Sequence, residues 1–428
     1  MNKQPKPAGR TPNSLLGGLS PQQFLSRHWQ KKPLLIRQAI PGFQGAASIP
    51  TLLELACDDR VESRLISRSP VTPRSSTSKR ANGRWQLQHG PFQPAELRRQ
   101  HRQWPRDWTL LLQGINLHLP QADQLLARFA FLPWARLDDV MVSYAVPGGG
   151  VGPHVDSYDV FLLQGTGRRH WRIAKRFDTQ LVNDAPIRVL KGFEEEQQWT
   201  LEPGDMLYLP PGWAHDGVAI DHCTTWSIGF RAPSDIELRE GWLDWQRDRV
   251  QGQGRYRDPQ ASLTKHPGRI PDALLQHILH TLAPSTSTER SNSNSTLHAM
   301  KQFAGCFLSE PKPQVSFEPP LRALSLPVWT RKIARRGLHL DARTRLLYQG
   351  NTLFINGEAV PLRDGLQGAS ARWLRQLADT RCLPAPGDIQ SKRKQAVRQE
   401  LSQASAALTT LLYGWYCQGW LHAGQAAP

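Results

Sequence analysis

His154 and Asp156, separated by one residue, directly follow the glycine-rich stretch 147–153 (PGGGVGP). Side chains two apart on an extended segment share a face. The imidazole and the carboxylate can therefore hold one divalent ion from neighbouring positions. Tyr158, Val160 and Leu162 continue that face if the strand runs on. A third ligand from a distant strand completes a set of two histidines and one carboxylate, which leaves three octahedral positions open on one side. Those positions suit a bidentate co-substrate and dioxygen. The pair alone is a weak signal, because His-X-Asp arises by chance in many chains. Its weight comes from segment 202–215 (EPGDMLYLPPGWAH), where an apolar strand enters a Pro-Gly turn with a histidine just beyond it. An isolated His215 would more often be structural. Paired with His154 and Asp156 in a strand-rich setting, it reads as the third ligand, aimed back across a barrel by the turn.

Arg169 carries the next inference. In segment 168–174 (RRHWRIA), alternation puts Arg169 on one face with Trp171 and Ile173, and Arg168, His170 and Arg172 on the other. A guanidinium that shares a face with Trp and Ile points inward, and a buried arginine requires an anionic partner. An internal Asp or Glu would make it a structural ion pair. The far carboxylate of a dicarboxylate co-substrate would accept a bidentate pair instead, and the nearby ligand set favours that reading. Other candidates are weaker. Gly148-Gly149-Gly150 lacks the Gly-Lys-Ser/Thr of a phosphate loop and reads as a turn. Asp221-His222-Cys223 reads as a turn between strands rather than a second metal cluster. Trp85, Trp104, Trp108 and Trp134 read as core or interface rather than base-stacking platforms.

The elements that must position these groups can be traced along the chain. Ser20-Pro21 offers a helix N-cap with proline in the first turn, followed by an extended segment at 32–37. Residues 69–83 form a polar, breaker-rich loop. A strand is predicted over 109–113 and a helix over 121–131. Strands at 141–146, 159–164, 168–174, 205–209 and 224–231, separated by Gly and Pro turns, predict an antiparallel barrel or sandwich. Residues 237–249 predict a helix with Leu238, Trp242 and Trp245 at helical spacing; the tryptophans would pack against a partner chain or the barrel. Residues 285–295 (STSTERSNSNS) predict a disordered linker. Farther on, 345–348 and 352–355 flank Gly350, and Asn356-Gly357 marks a second hairpin turn. Helices at 371–378 and 399–416 complete a winged-helix-like module.

The chain has 428 residues, enough for two or three domains, with 39% hydrophobic and 21% charged residues, an ordinary globular balance. A net charge of +17 favours polyanionic surroundings such as the ribosome, although it also serves solubility alone. The five cysteines are scattered, odd in number and form no CxxC pair, which excludes a disulfide framework and a thiolate zinc site. No apolar run approaches the ~18 residues of a membrane helix. The polar start without an apolar h-region predicts a cytoplasmic protein.

Segments 154–173 (HVDSYDVFLLQGTGRRHWRI) and 205–219 (DMLYLPPGWAHDGVA) resemble the JmjC-type ribosomal oxygenases. More closely, they are similar to the bacterial branch that 3-hydroxylates an arginine of a large-subunit ribosomal protein, the sixteenth. The resemblance extends to 24–39 (FLSRHWQKKPLLIRQA), 87–92 (LQHGPF) and 147–156, and covers most of the chain apart from the inserts near 69–83 and 285–295. It implies a mainly β fold with α: a double-stranded β-helix, the cupin/JmjC barrel, over 116–232. A helix and strand lead-in over 1–115 precedes it. A helical dimerisation region over 233–284, a low-complexity linker over 285–309 and a C-terminal winged-helix-like domain over 310–428 follow. It implies Fe(2+) held by His154, Asp156 and His215, with 2-oxoglutarate and O2 as co-substrates. Arg169 matches the residue that grips the 5-carboxylate, and Ser143 a further polar co-substrate contact. A homodimer is implied as well, and the basic surface, including the loop from Arg68 to Arg84, could dock on ribosomal components.

Two alternatives stay open at this point. One is a JmjC-type oxygenase or demethylase acting on a different protein. The other is a non-enzymatic metal-binding cupin with a nucleic-acid-binding winged helix, against which the intact His154, Asp156, His215 and Arg169 argue.

Overall fold

The computed structural model describes residues 14–68, 85–103, 107–249, 256–257, 273–276, 291–383 and 405–424. The first part runs α1 (Pro21–Arg27), β1 (Leu34–Ile36), α2 (Ile49–Leu55), β2 (Ser63–Arg68), β3 (Trp85–His89), α3 (Pro94–Gln103), β4 (Trp108–Leu112) and α4 (Pro120–Ala127). There follow β5 (Leu137–Ala145), β6 (His154–Val155), β7 (Val160–Gln164), β8 (Arg169–Ala174), β9 (Gln197–Leu201), β10 (Met206–Leu209), β11 (Ala214–Ala219) and β12 (Cys223–Phe230). The sequence punctuation explains several boundaries. Ser20 caps α1 and Gln23 bonds back to it, a reciprocal box that satisfies two otherwise orphaned amides.

Two antiparallel sheets make the barrel. The larger has the order β1-β10-β7-β12-β5-β4-β2-β3 and the smaller β6-β11-β8-β9. Alternation along β5 sorts its two faces. Val140, Val142 and Tyr144 join a core with Phe24, Leu52, Phe129, Phe161 and Trp226, packed under the lead-in helices. Asp139, Met141 and Ser143 face the other way and line a cavity. Each large apolar side chain so buried contributes ~1.5–3 kcal/mol, so the polar face is held open by the apolar one.

The second part runs α5 (Asp235–Arg247), α6 (Ser291–Ser309), α7 (Leu326–Arg336), β13 (Leu338–Leu340), β14 (Leu346–Gln349), β15 (Thr352–Ile355), β16 (Glu358–Pro361), α8 (Ala369–Thr380), β17 (Cys382–Leu383), α9 (Ala406–Cys417) and β18 (Leu421–Ala423). Strands β14, β15 and β16 form the meander that Gly350 and Asn356-Gly357 predict. With α7, α8 and α9 they enclose a separate core around Trp329, Leu353, Trp373, Leu377 and Trp415.

Four expectations are corrected. The linker over 285–309 is helical from Ser291, because Phe303 and Phe307 give its C-terminal half an apolar stripe. Among the described ring contacts Trp242 and Trp245 meet no ring of the barrel; they stack on each other and meet Phe303 of α6 edge-on. The strand at His154 does not run on: β6 ends at Val155, and β7 begins at Val160 in the other sheet. His215 is not across the barrel either, since β11 pairs directly with β6. The loop at 69–83, Trp104 and most of 250–290 lie outside the described residues.

Candidate metal centre

β11 places His215 directly opposite His154 of β6, with ring centroids 4.2 Å apart. Asp156, just past β6, turns its carboxylate toward both: His154 Nε2 lies 3.9 Å from Oδ1 and His215 Nε2 3.6 Å from Oδ2. Their ligand atoms lie within 4.8 Å of one another. Both imidazoles are oriented by backbone carbonyls. His154 Nδ1 donates to Gly152 O at 2.9 Å and His215 Nδ1 to Trp213 O at 3.0 Å, which leaves each Nε2 lone pair for an ion. Gly152 can present its carbonyl there because it adopts φ +76°. His215 is fully buried, and burial, with His154 beside it, lowers its pKa to about 4 despite the attraction of Asp156. It therefore stands as the neutral ligand form. Two imidazoles and one carboxylate on one side, with open volume on the other, fit iron(II).

Arg169 opens β8, where alternation places it on one face with Trp171 and Ile173 as the sequence predicts. It pairs with Ala219 on β11, while Ile173 pairs with His215. The two positions are thus about 13 Å apart along the ladder. Gly217, between them, leaves room for the Trp171 ring, which a Cβ would meet at 2.7 Å. Arg169 Nη1 donates to Ser143 Oγ at 3.1 Å, while its buried Nε and Nη2 have no hydrogen-bond partner. Among the described residues no carboxylate pairs with it, so the internal ion pair that competed with the co-substrate reading is absent. Two unsatisfied buried guanidinium donors fit an incoming carboxylate.

The cavity between the sheets has a volume of about 840 Å³. Its wall on the larger sheet is built in cross-strand rows: Ser143 opposite Thr225, Met141 opposite Ser227, and Asp139 near Gly229. β5 therefore runs from Ser143, beside the cation Arg169, to a carboxylate, Asp139, about 13 Å away. Asp138, Gln113 and Tyr158 also line the cavity. Asp139 escaped the sequence reading; its even, four-residue spacing from Ser143, with Met141 between them, was the available signal. Of the other motifs, Asp221 pairs with Arg168 at 2.8 Å, and Trp134 packs at the boundary with the C-terminal module, where its Nε1 donates to Asp379 O.

Comparison with known proteins gives a JmjC domain over residues 124–238 and a ROXA-like winged helix over 293–422. The ribosomal protein uL16 3-hydroxylase of Escherichia coli K12 is 36% identical over 303 residues, covering 69% of this chain and 73% of that protein. A probable ribosomal oxygenase of Haemophilus influenzae is 35% identical over 226 residues, 52% of each chain. The structure of YcfD, a ribosomal oxygenase from E. coli, in complex with cobalt and 2-oxoglutarate superposes with a TM-score of 0.70 at 29% identity, covering 94% of this chain and 98% of that one.

Proposed function

This chain belongs to the JmjC-type ribosomal oxygenases, which depend on iron(II) and 2-oxoglutarate, and from that premise we propose that it hydroxylates C3 of an arginine in the large-subunit ribosomal protein uL16. The observation that carries the arginine reading is the charge layout of the cavity. Arg169 at one end of the β5 wall suits a dicarboxylate co-substrate, and Asp139 at the other suits a cationic side chain.

We assign His154, Asp156 and His215 to the metal, and Arg169 and Ser143 to 2-oxoglutarate. Iron(II) held there would supply the oxidative decarboxylation of 2-oxoglutarate by dioxygen to succinate and carbon dioxide, coupled to hydroxylation of a substrate C–H bond. The chain's own residues orient and enclose. The Nδ1 bonds fix both imidazoles. Ser143 steers the guanidinium. Met141, Val160, Leu162 and Trp171 give the cavity apolar walls that exclude water.

Finer parts of the reading have their own support. A homodimer is favoured by Ile236 and Leu243, which leave apolar surface exposed on α5. Proximity to ribosomal RNA is favoured by exposed Arg331, Arg335 and Arg336 on α7, with no acidic residue between 319 and 340. A ribosomal substrate places the enzyme in the cytoplasm. The lead-in over 1–115, the barrel over 116–232 and a helical region from 233 are the proposed units, with the terminal module beginning at Ser291.

The test is intact and peptide mass of uL16 after incubation with iron(II), 2-oxoglutarate and dioxygen. The expected product carries one added oxygen atom on arginine. Loss of a methyl group would indicate a demethylase instead, and binding without turnover a non-enzymatic cupin.

A further inference from the structure

The carboxylate wall of the cavity is braced from outside the barrel. Asp139 is 4% exposed, and its Oδ2 accepts from Gln113 Nε2 at 2.7 Å and from Lys312 Nζ at 2.9 Å. Its Oδ1 sits beside the cavity-lining Gly229, 3.4 Å from where a Cβ there would stand, with no hydrogen-bond partner among the described residues. Asp138 accepts from the same Lys312 Nζ at 3.1 Å and from Arg345 Nη2 at 3.3 Å. Lys312 lies between α6 and α7, and Arg345 just before β14, so both cations belong to the C-terminal module. Burial alone would lower the Lys312 ammonium; Asp139 and Asp138 outweigh it and hold its pKa above the ordinary value.

We propose that Lys312, with Arg345 behind it, is a positioning residue of the active site, through which the C-terminal module holds Asp139 with Oδ1 turned to a cationic substrate side chain. The inference rests on the arginine reading above. Its physical basis is rotational. A carboxylate at a strand end can turn about two torsions, and two donors on one oxygen stop it in a single orientation. The lysine also separates two adjacent carboxylates that otherwise repel each other. A cation arriving in the cavity then meets one fixed acceptor rather than two mobile ones, and the cost of ordering it is already met.

The experiment compares the full-length wild type with Lys312→Met, Lys312→Arg and Arg231→Met, by steady-state hydroxylation of recombinant uL16. Arg231 bridges the same domain boundary, donating to Leu308 O at 2.9 Å, but has no bond to Asp139. Lys312→Met is expected to raise KM for uL16 by about tenfold or more, as when one partner of a partly buried charge pair is removed, with kcat changed by less than about twofold. Lys312→Arg should recover most of that loss, and Arg231→Met should leave KM near the wild type. The inference is overturned if KM of Lys312→Met stays within about twofold of wild type, or if Arg231→Met raises KM equally, since loosening of the boundary would then suffice. A wild type that leaves uL16 unmodified overturns the substrate reading and this inference with it. A wild type that hydroxylates uL16 while Lys312→Met behaves identically overturns this inference alone.

Discussion

Arg169 and Ser143 stand on different sheets and are joined across the barrel by one hydrogen bond, Nη1 to Oγ at 3.1 Å, which leaves Nε and Nη2 of the guanidinium buried and unbonded. Unmade bonds of this kind cost ~1–3 kcal/mol each, more when charged, so the ligand-free site is poised for an anion. Arg169→Met should weaken 2-oxoglutarate binding by about 100-fold or more. The same change should leave thermal stability of the ligand-free protein unchanged or raised, because it removes an uncompensated buried charge. Ser143→Ala should cost less, roughly several-fold in 2-oxoglutarate affinity, as for one lost hydrogen bond. Titration of 2-oxoglutarate followed by melting temperature measures both; wild-type affinity in Arg169→Met would remove Arg169 from the co-substrate site.

The proposed metal ligands carry a pH signature. The folded pKa of His215, about 4, lies below the ordinary value near 6.5. As pH falls, the unfolded chain therefore takes up this proton first. Stability of the metal-free protein should be complete above about pH 6.5 and be lost progressively as pH falls toward 4. Chemical denaturation at a series of pH values measures this, with His215→Asn as the variant in which the window flattens. His154→Ala and His215→Ala should each abolish cobalt(II) binding, read by absorption, since two ligands cannot complete the facial set. A level wild-type stability between pH 7 and 4.5 would contradict the buried, neutral assignment.

Asp139 offers a separation of substrates. Asp139→Asn keeps an acceptor for Gln113 and Lys312 but removes the charge facing the cavity. KM for uL16 should rise by roughly tenfold or more, while affinity for 2-oxoglutarate, whose proposed contact Ser143 lies about 13 Å along β5, stays close to wild type. Equal loss of both ligands would mean a distorted sheet rather than a lost substrate contact.

How far the sequence could lead is clearest at these residues. Parity survived: Arg169 faces inward with Trp171 and Ile173 because strand alternation is a local rule. The hairpins at Gly350 and Asn356-Gly357 were legible for the same reason, as local turn chemistry. Register and neighbour were not. Nothing local in Ala214–Ala219, with its Asp and Gly, marks a strand; pairing with β6 and β8 makes it one, and that pairing sets His215 beside His154 instead of across the barrel. Lys312 and Asp139 meet only because the C-terminal module docks on the barrel, a contact between distant parts of the chain. The Ser- and Asn-rich start of α6 likewise masked a helix whose apolar residues come later.

That helix yields a last expectation, opposite in sign to the usual rule. Gly305 lies inside α6, where glycine costs ~1 kcal/mol relative to alanine. Propensity alone therefore expects Gly305→Ala to stabilise. A Cβ at 305, however, would overlap the Phe354 ring, which is 3% exposed and held in the hydrophobic interior on β15. The ring cannot swing away without opening that core, and overpacking of this kind costs ~1–3 kcal/mol. The glycine is the close-approach point that lets α6 lie against the β14–β16 meander. On its other side α6 presents Phe303 to Trp242 and Trp245 of α5. Gly305→Ala should thus lower the unfolding free energy by about 1–2 kcal/mol net. It should also shift tryptophan fluorescence as the α5–α6 packing loosens. Equilibrium denaturation with fluorescence and circular dichroism reads both, and a stabilised Gly305→Ala would mean that α6 does not seat on the meander.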